Sequence, residues 1–353
     1  MIVSGKKLAY LEPQEKIWRG ESGQSYPIQE IHARNKLDSL MPFESVAGFS
    51  AQAGIYPGTL FRFPLRNMAS DLSENLYTIQ KLQDLLFAIR EETKLLLLFL
   101  RSIQEIEVHE ISQYGQQMPS FQVAIQEKDV IGHKRKNFID NLKLASAQAR
   151  PPPYCITRSI DLVTDFHVEV ADHSSNTTTV NHWLVANQVG SQNQTVLDTA
   201  TKQHVFPWVG TALELNDGSH SPTSPGGRIF CFLPMPTEAS SSLPVHINGT
   251  FGLNDDRRTL KWPGTERKND PAADWNKILV SELLPSCYAQ LLMEAKKHLR
   301  PEQFYEAWPR TDMVKTTTWE GLPYCIQDVS TLLYCNTDVV IINPRCACAR
   351  GLL

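Results

Sequence analysis

Apolar positions along the chain follow two periods, and the switches between them mark the elements. Leu76, Ile79, Leu82, Leu85, Leu86 and Ile89 fall at helical spacing. With Ser73 as N-cap they predict a helix running to about Arg90. A second helix is predicted over 92–101, with Leu95-Leu96-Leu97-Leu98 as its buried face. At 103–111 the period drops to two, reading Ile, Gln, Glu, Ile, Glu, Val, His, Glu, Ile, and 121–125 alternates again. Together these two stretches predict a hairpin with one wet face. Residues 134–148 are basic and amphipathic and predict another helix.

Other runs are punctuated by breakers. Residues 7–11 predict a short strand ending at Pro13. Residues 58–66, GTLFRFPLR, open on a glycine and read as a buried or half-buried strand, with an edge or bulge at Pro64, which lacks a ladder donor. Pro151-Pro152-Pro153 stops the preceding helix and predicts a boundary or stiff linker. Strands are expected over 156–170 and 182–187, with polar, turn-rich chain at 188–203 and a loop over 216–227. Residues 228–234, RIFCFLP, read as one continuous strand of buried type. A flexible insert at 239–242 precedes a further strand over 244–251, and 274–292 and 294–308 predict amphipathic helices.

Composition adds constraints. At 353 residues, 42% hydrophobic and 20% charged, the chain can hold two or three domains of ordinary globular type. A net charge of −4 argues against general nucleic-acid binding. The first twenty residues lack the apolar segment of a signal peptide, and the 95–100 run is too short to span a bilayer, so no membrane association is expected. The seven cysteines form no CxxC pair, and Cys346 and Cys348 lack a second ligand pair at zinc spacing, so no metal is expected. Free thiols in a cytoplasmic chain are the simpler account. Sequons at Asn176, Asn193 and Asn248 carry meaning only in a secreted protein.

The 58–66 strand resembles, nearly word for word, the strand that closes the ATP-binding domain of sacsin-type repeats, which belong to the heat-shock-protein-90-like branch of the histidine-kinase/gyrase ATPases. VSGKKLAYLEP at 3–13, GRIFCFLPMP at 227–236, LPVHINGTFGLNDDRRTLKWPG at 243–264, ADWNKILVSELLPSCYAQLL at 273–292 and FYEAWP at 304–309 resemble further blocks, in family order. Thr250 departs from the pattern, standing where an aromatic is usual, and the residues after Arg345 look unlike the family.

The resemblance implies an α+β or α/β chain: the end of a histidine-kinase/gyrase-type ATPase domain, then a middle-domain-like α/β region and C-terminal helices. The implied divisions are 1–66, a C-terminal remnant of the ATPase-type domain; 67–150, a helical connector with a β-hairpin; 151–265, the middle-domain-like β-rich region; 266–345, a helical region; and 346–353, a tail. On this reading the chain begins inside the ATPase-type domain.

Nucleotide chemistry in that superfamily needs a helix bearing a catalytic Glu and a metal-binding Asn, an Asp-x-Gly-x-Gly turn, and a glycine-rich lid whose amides reach phosphates. The sequence holds no GxG, and Asp217-Gly218 is followed by Ser-His-Ser. No catalytic residue, no cofactor and no ATP turnover are therefore expected, although ATP is the cofactor of the full-length family. Gly58 and Thr59 match the family's nucleotide-side Gly-Thr pair. Thr59 reads either as a remnant of that site, where the threonine touches adenine through water, or as a strand residue capping a turn. Arg257 and Arg258 read either as a contact to a phosphate or partner acid, or as a solvated turn pairing locally with Asp255 and Asp256. His246 on an apolar strand reads as a satisfied core histidine, and Trp208, Trp262, Trp275 and Trp308 as core or interface anchors.

The function implied by the resemblance is that of a chaperone or co-chaperone in the cytoplasm, with heat-shock chaperones and client proteins as partners. A structural segment of a larger protein, inert alone, is the alternative. An enzyme of another class finds no GxSxG, HExxH or comparable signature.

Overall fold

The computed structural model describes residues 1–11, 20–33, 37–44, 46–65, 68–69, 74–112, 116–149, 154–215, 226–236, 241, 243–262 and 270–309. Arg66, Ser73, Pro13, Pro151–Pro153, most of the 216–227 and 239–242 inserts and the tail with Cys346 and Cys348 lie outside these residues. The chain is a mixed α+β protein with two sheets. It divides into two units: Met1–Ile89 with Ile111–Met118, and Arg90–Glu110 with Pro119–Leu353.

The first unit is built on strands β1 (Ile2–Gly5), β2 (Lys7–Leu11), β3 (Gly23–Pro27) and β4 (Tyr56–Phe61), in the order β3-β2-β1-β4 and antiparallel throughout. Gly5 at φ +56° makes the tight reversal between β1 and β2, a conformation glycine adopts without a Cβ penalty. One helix, α1 (Ile28–Ala33), follows β3. Val3, Leu8, Ile28, Leu40, Phe43 and Phe49 form a small core.

The 58–66 strand differs from expectation. It starts earlier, at Tyr56, and ends at Phe61; it is an edge strand, as one of the two expectations for it had it, with β1 as its one neighbour among the described residues. Phe61 and Phe63 are 59% and 80% exposed and stack with centroids 6.1 Å apart. Leu65 is exposed too, and only Leu60 is half-buried against the core. The apolar run therefore lacks a second layer. Its register irregularity falls at Ser4/Gly5 on the facing strand and not at Pro64.

Helix α2 (Ile79–Glu91) starts later than the periodicity predicts, and none of its side chains is buried. Helix α3 (Thr93–Leu96) is a single turn, so Leu97 and Leu98 are buried just beyond a helix end and not along a helix face.

The second unit carries strands β5 (Glu105–Ile111), β6 (Gln117–Ile125), β7 (Ile160–Asp172), β8 (Thr177–Val189), β9 (Trp208–Glu214), β10 (Ile229–Cys231), β11 (Leu233–Pro234) and β12 (His246–Gly249). Their order is β11-β10-β12-β9-β8-β7-β6-β5, with β10 and β12 parallel and the other registered neighbours antiparallel. Both faces are covered. Along β8, Leu184 and Ala186 enter one core and Trp183 and Val185 the other, the period-two split of a central strand.

One face meets α5 (Gln194–Gln203), α6 (Pro271–Ile278) and α7 (Leu284–Ala295), where Trp275, Leu279, Leu283 and Tyr288 pack on Leu184 and Val209. Helix α5 occupies chain expected to be turns; Asn193 caps it through Thr195 N–H at 2.9 Å, and Val196, Leu197 and Ala200 face inward. Between α6 and α7 the helix widens to a π turn, Leu279–Leu283. Pro285 explains this: it has no N–H and its ring would strike the carbonyl four residues back. A last helix, α8 (Pro301–Glu306), is tied back where Tyr288 Oη donates to Ala307 O at 2.6 Å.

On the other face lie Leu97, Leu98, Val123, Phe166 and helix α4 (Lys128–Gln148). Arg135 on α4 is buried and donates to the carbonyls of Leu97 at 3.0 Å and Leu98 at 3.4 Å, above the Phe166 ring. Burial lowers its guanidinium to about 10.

The 228–234 run is broken, not continuous. Phe232 sits at φ +67° and folds β11 back on β10, pairing Cys231 with Leu233. Asn248, wholly buried, holds the bend: its Oδ1 accepts from Phe232 N–H at 2.8 Å.

Candidate functional site

The arginine pair stands on a loop whose base is rigid. Residues 252–261 leave β12 and return to α6, closing at a bridge between Leu253 and Leu260. Asn254 N–H donates to Thr259 O at 3.0 Å, and the Asn254 side-chain amide to Thr259 Oγ1 at 2.7 Å. Lys261 N–H donates to Gly252 O at 3.0 Å. The fully buried Asn276 on α6 then fastens both ends: its Oδ1 accepts from Gly252 N–H at 2.7 Å, while Nδ2 donates to Gly252 O at 2.8 Å and Lys261 O at 2.7 Å. Gly252 is required for this approach, because a Cβ there would lie 2.7 Å from the Ala272 Cβ. Lys261 adds an ion pair to Asp270 at 3.2 Å, and Asp270 caps α6 through Ala272 N–H.

Thr250, the departure from the family pattern, is well used. Its hydroxyl donates to Phe206 O at 2.8 Å, and its carbonyl accepts from Trp275 Nε1 at 2.8 Å. The segment leading to the loop is thereby stitched to both strand and helix.

At the tip, Arg257 adopts φ +56° and its N–H donates to Asn254 O at 2.8 Å. Arg258 N–H donates to the Asp256 carboxylate at 2.9 Å. The expected local pairing is therefore corrected: Asp256 is engaged by backbone, not by a guanidinium. Both arginine side chains are exposed, and among the described residues no carboxylate lies within ion-pair distance of either. Chemically the tip offers two guanidinium groups able to take a carboxylate or phosphate in bidentate fashion.

Gly58 and Thr59 lie in the other unit, on edge strand β4. Thr59 is exposed and faces Ser4 across the β1–β4 ladder, their hydroxyls 2.8 Å apart. Gly58 has the Tyr56 ring as its nearest neighbour. His246 is where a core histidine belongs: Nδ1 accepts from Arg228 N–H at 2.9 Å, and burial, with Lys94 and Arg228 adding to it, lowers the ring to about 3. Trp208 and Trp275 are buried in the core, and Trp262 and Trp308 pack half-buried against it. The sequence reading missed Asn276. The available signal was a short amide among the inward positions of an amphipathic helix.

Among the described residues no group of His, Cys, Asp and Glu is arranged to hold a metal ion, and no helix is long and apolar enough to cross a membrane.

Residues 1–123 match the Sacsin domain family. Sacsin of Homo sapiens is 34% identical to the chain over 341 residues, 89% of its length, and the chain spans 7% of the length of that protein.

Proposed function

We propose that this chain, a sacsin-like repeat, works as a chaperone or co-chaperone element that holds other proteins and turns over no ATP of its own. The observation that carries the reading is the sacsin similarity along 341 residues without the superfamily's glycine motifs. The apolar surface of the first unit supports it. Phe61, Phe63, Met68, Ile79 and Phe87 are between 59% and 80% exposed. Unfolded clients present apolar segments, and such a surface can take them. In this reading the first unit is the end of a histidine-kinase/gyrase-type ATPase domain, and the second is comparable to the chaperone's middle domain. Heat-shock chaperones and clients are the partners, in the cytoplasm, where the free thiols of Cys155, Cys231 and Cys287 are at home.

The test is aggregation of a thermally unfolding enzyme followed by light scattering. The full chain suppresses it in a dose-dependent way with or without ATP, and phosphate release stays at the buffer blank. Replacing Phe61, Phe63 and Phe87 together by Ser weakens suppression by about fivefold or more. A second reading, a structural segment inert by itself, is favoured by the small share of sacsin that the chain spans. It is the outcome if the chain suppresses nothing at any concentration. Phosphate release above blank, lost in Thr59→Ala, overturns the ATP-independent reading.

A further inference from the structure

Three imidazoles from three places in the second unit meet beside the middle of the β7–β8 ladder. His167 on β7 and His182 on β8 are direct cross-strand partners, and their rings stack with centroids 4.2 Å apart and planes 17° from parallel. His298, in the turn that ends α7, sets its ring edge-on to His182, with centroids 6.1 Å apart. We propose that His167, His182 and His298 form an acid-sensitive clasp, which holds the turn after α7 against β7 and β8 while the rings are neutral and releases it when they are protonated.

The surrounding charges decide what a proton costs at His182. Glu127, at the N-terminus of α4, accepts from His167 Nδ1 at 2.7 Å and from His167 N–H at 3.0 Å. Burial works to raise the Glu127 carboxyl, but these hydrogen bonds outweigh it and hold it below its ordinary value. An ionised carboxylate therefore stands beside His167, and a proton on that ring would face His182. Asp165 on β7 is the carboxylate nearest to His182, at 3.9 Å from Nε2, too far for a hydrogen bond, and Nε2 is buried without a partner. On the α7 side, Glu294 lies 3.7 Å from His298 Nε2 but is also engaged by Lys297 at 2.7 Å. Asp165 and Glu127 therefore offset a proton on His182 only in part: burial first, then the facing His167, and also His298 lower its ring below 6.5, with Asp165 and Glu127 opposing.

The sign follows. A histidine lowered in the fold contributes stability that is complete above the ordinary value of 6.5 and is lost as pH falls through its folded value. The loss concentrates where two charged rings would stack, and the turn on His298 is the element that can move away. Helix α7 itself is anchored by Tyr288, Leu291 and Leu292, all buried, so release is local.

The experiment uses the full chain with histidine labelled at Cε1, followed by magnetic resonance from about pH 8 to about pH 5, together with amide exchange corrected for its intrinsic pH dependence. His182 should titrate below 6.5, and His167→Asn should raise the His182 midpoint. Amide protection at 296–299 should fall about tenfold or more between about pH 7.5 and about pH 5.5, and His182→Asn should abolish that fall. If His182→Asn does not fold, His298→Asn at the surface tests the same contact and should leave the turn equally open at both pH values. The half-buried His246, whose ring is lowered to about 3, gives an acid-linked loss spread over the core, which persists in all three variants. A His182 ring that titrates at or above 6.5 and ignores His167→Asn, or turn protection that does not change with pH in the unaltered chain, overturns the clasp.

Discussion

Asn276 carries the arginine loop more than any residue at the tip does. Its amide makes three hydrogen bonds from a fully buried position. Asn276→Ala strands the Gly252 N–H and the Lys261 carbonyl and leaves Gly252 O with the Lys261 N–H alone, and should cost about 3 kcal/mol. Denaturant unfolding measures the loss, and proteolytic nicking inside 254–259 should rise in parallel. A cost below about 1 kcal/mol would mean that water replaces the amide, and the loop would then owe its shape to the Asn254–Thr259 contacts. At this scale the sequence was partly legible. His246 and the tryptophans read correctly as core because an apolar setting around one polar or aromatic residue is a local signal. Asn276 did not: a short amide at an inward helix position is a local signal, but what it holds lies at distant partners. The bend at Phe232 was hidden for the same reason: nothing in RIFCFLP warns of a positive φ until Asn248 is there to hold it.

Elements were legible where one face is wet. The hairpin of β5 and β6 alternates visibly, with Ile106 and Val108 half-buried between exposed Glu105 and Glu107, and α4 shows Ile131, Arg135, Phe138, Leu142 and Ala145 at helical spacing. Strand β9 is different. WVGTA is buried from Trp208 to Ala212 and has no alternation to read. Strand β4 misled in the opposite sense. Its apolar content suggests burial, but among the described residues it has a neighbour on one edge only, and its Phe61 side chain stands exposed. An exposed apolar edge is an association site. Full burial of each large side chain is worth about 1.5–3 kcal/mol. Phe61→Ser with Phe63→Ser should therefore reduce self-association at high protein concentration, seen by light scattering, while shifting the melting temperature by less than about 2 °C. A large fall in melting temperature would show that these rings are already packed.

At the scale of the whole molecule the two units differ in depth of core. The first rests on a small cluster around Leu8 and Phe43, whereas the second buries apolar side chains on both faces of eight strands. A small core offsets less chain entropy. The first unit should unfold at lower denaturant. Six of the seven tryptophans belong to the second, Trp18 being the exception. Tryptophan fluorescence should therefore report mainly the later transition, while far-ultraviolet circular dichroism shows an earlier component as well. Coincident single transitions by both probes would make the chain one cooperative unit. This division could not be read from composition, since it depends on which contacts close and not on any change in residue content along the chain.

The amide that holds the Phe232 bend is also the first residue of Asn248-Gly249-Thr250, an acceptor sequence for an N-linked glycan. Its Oδ1 is committed to Phe232, and the side chain has no exposed surface. A sugar attached to the nascent chain, before the sheet closes, would occupy the space where β10, β11 and β12 must meet. The fold is thus compatible with synthesis where no such transfer occurs, and passage through a glycosylating compartment would set sugar transfer in competition with folding. A single buried amide in this way ties the architecture to the conditions of its own biogenesis.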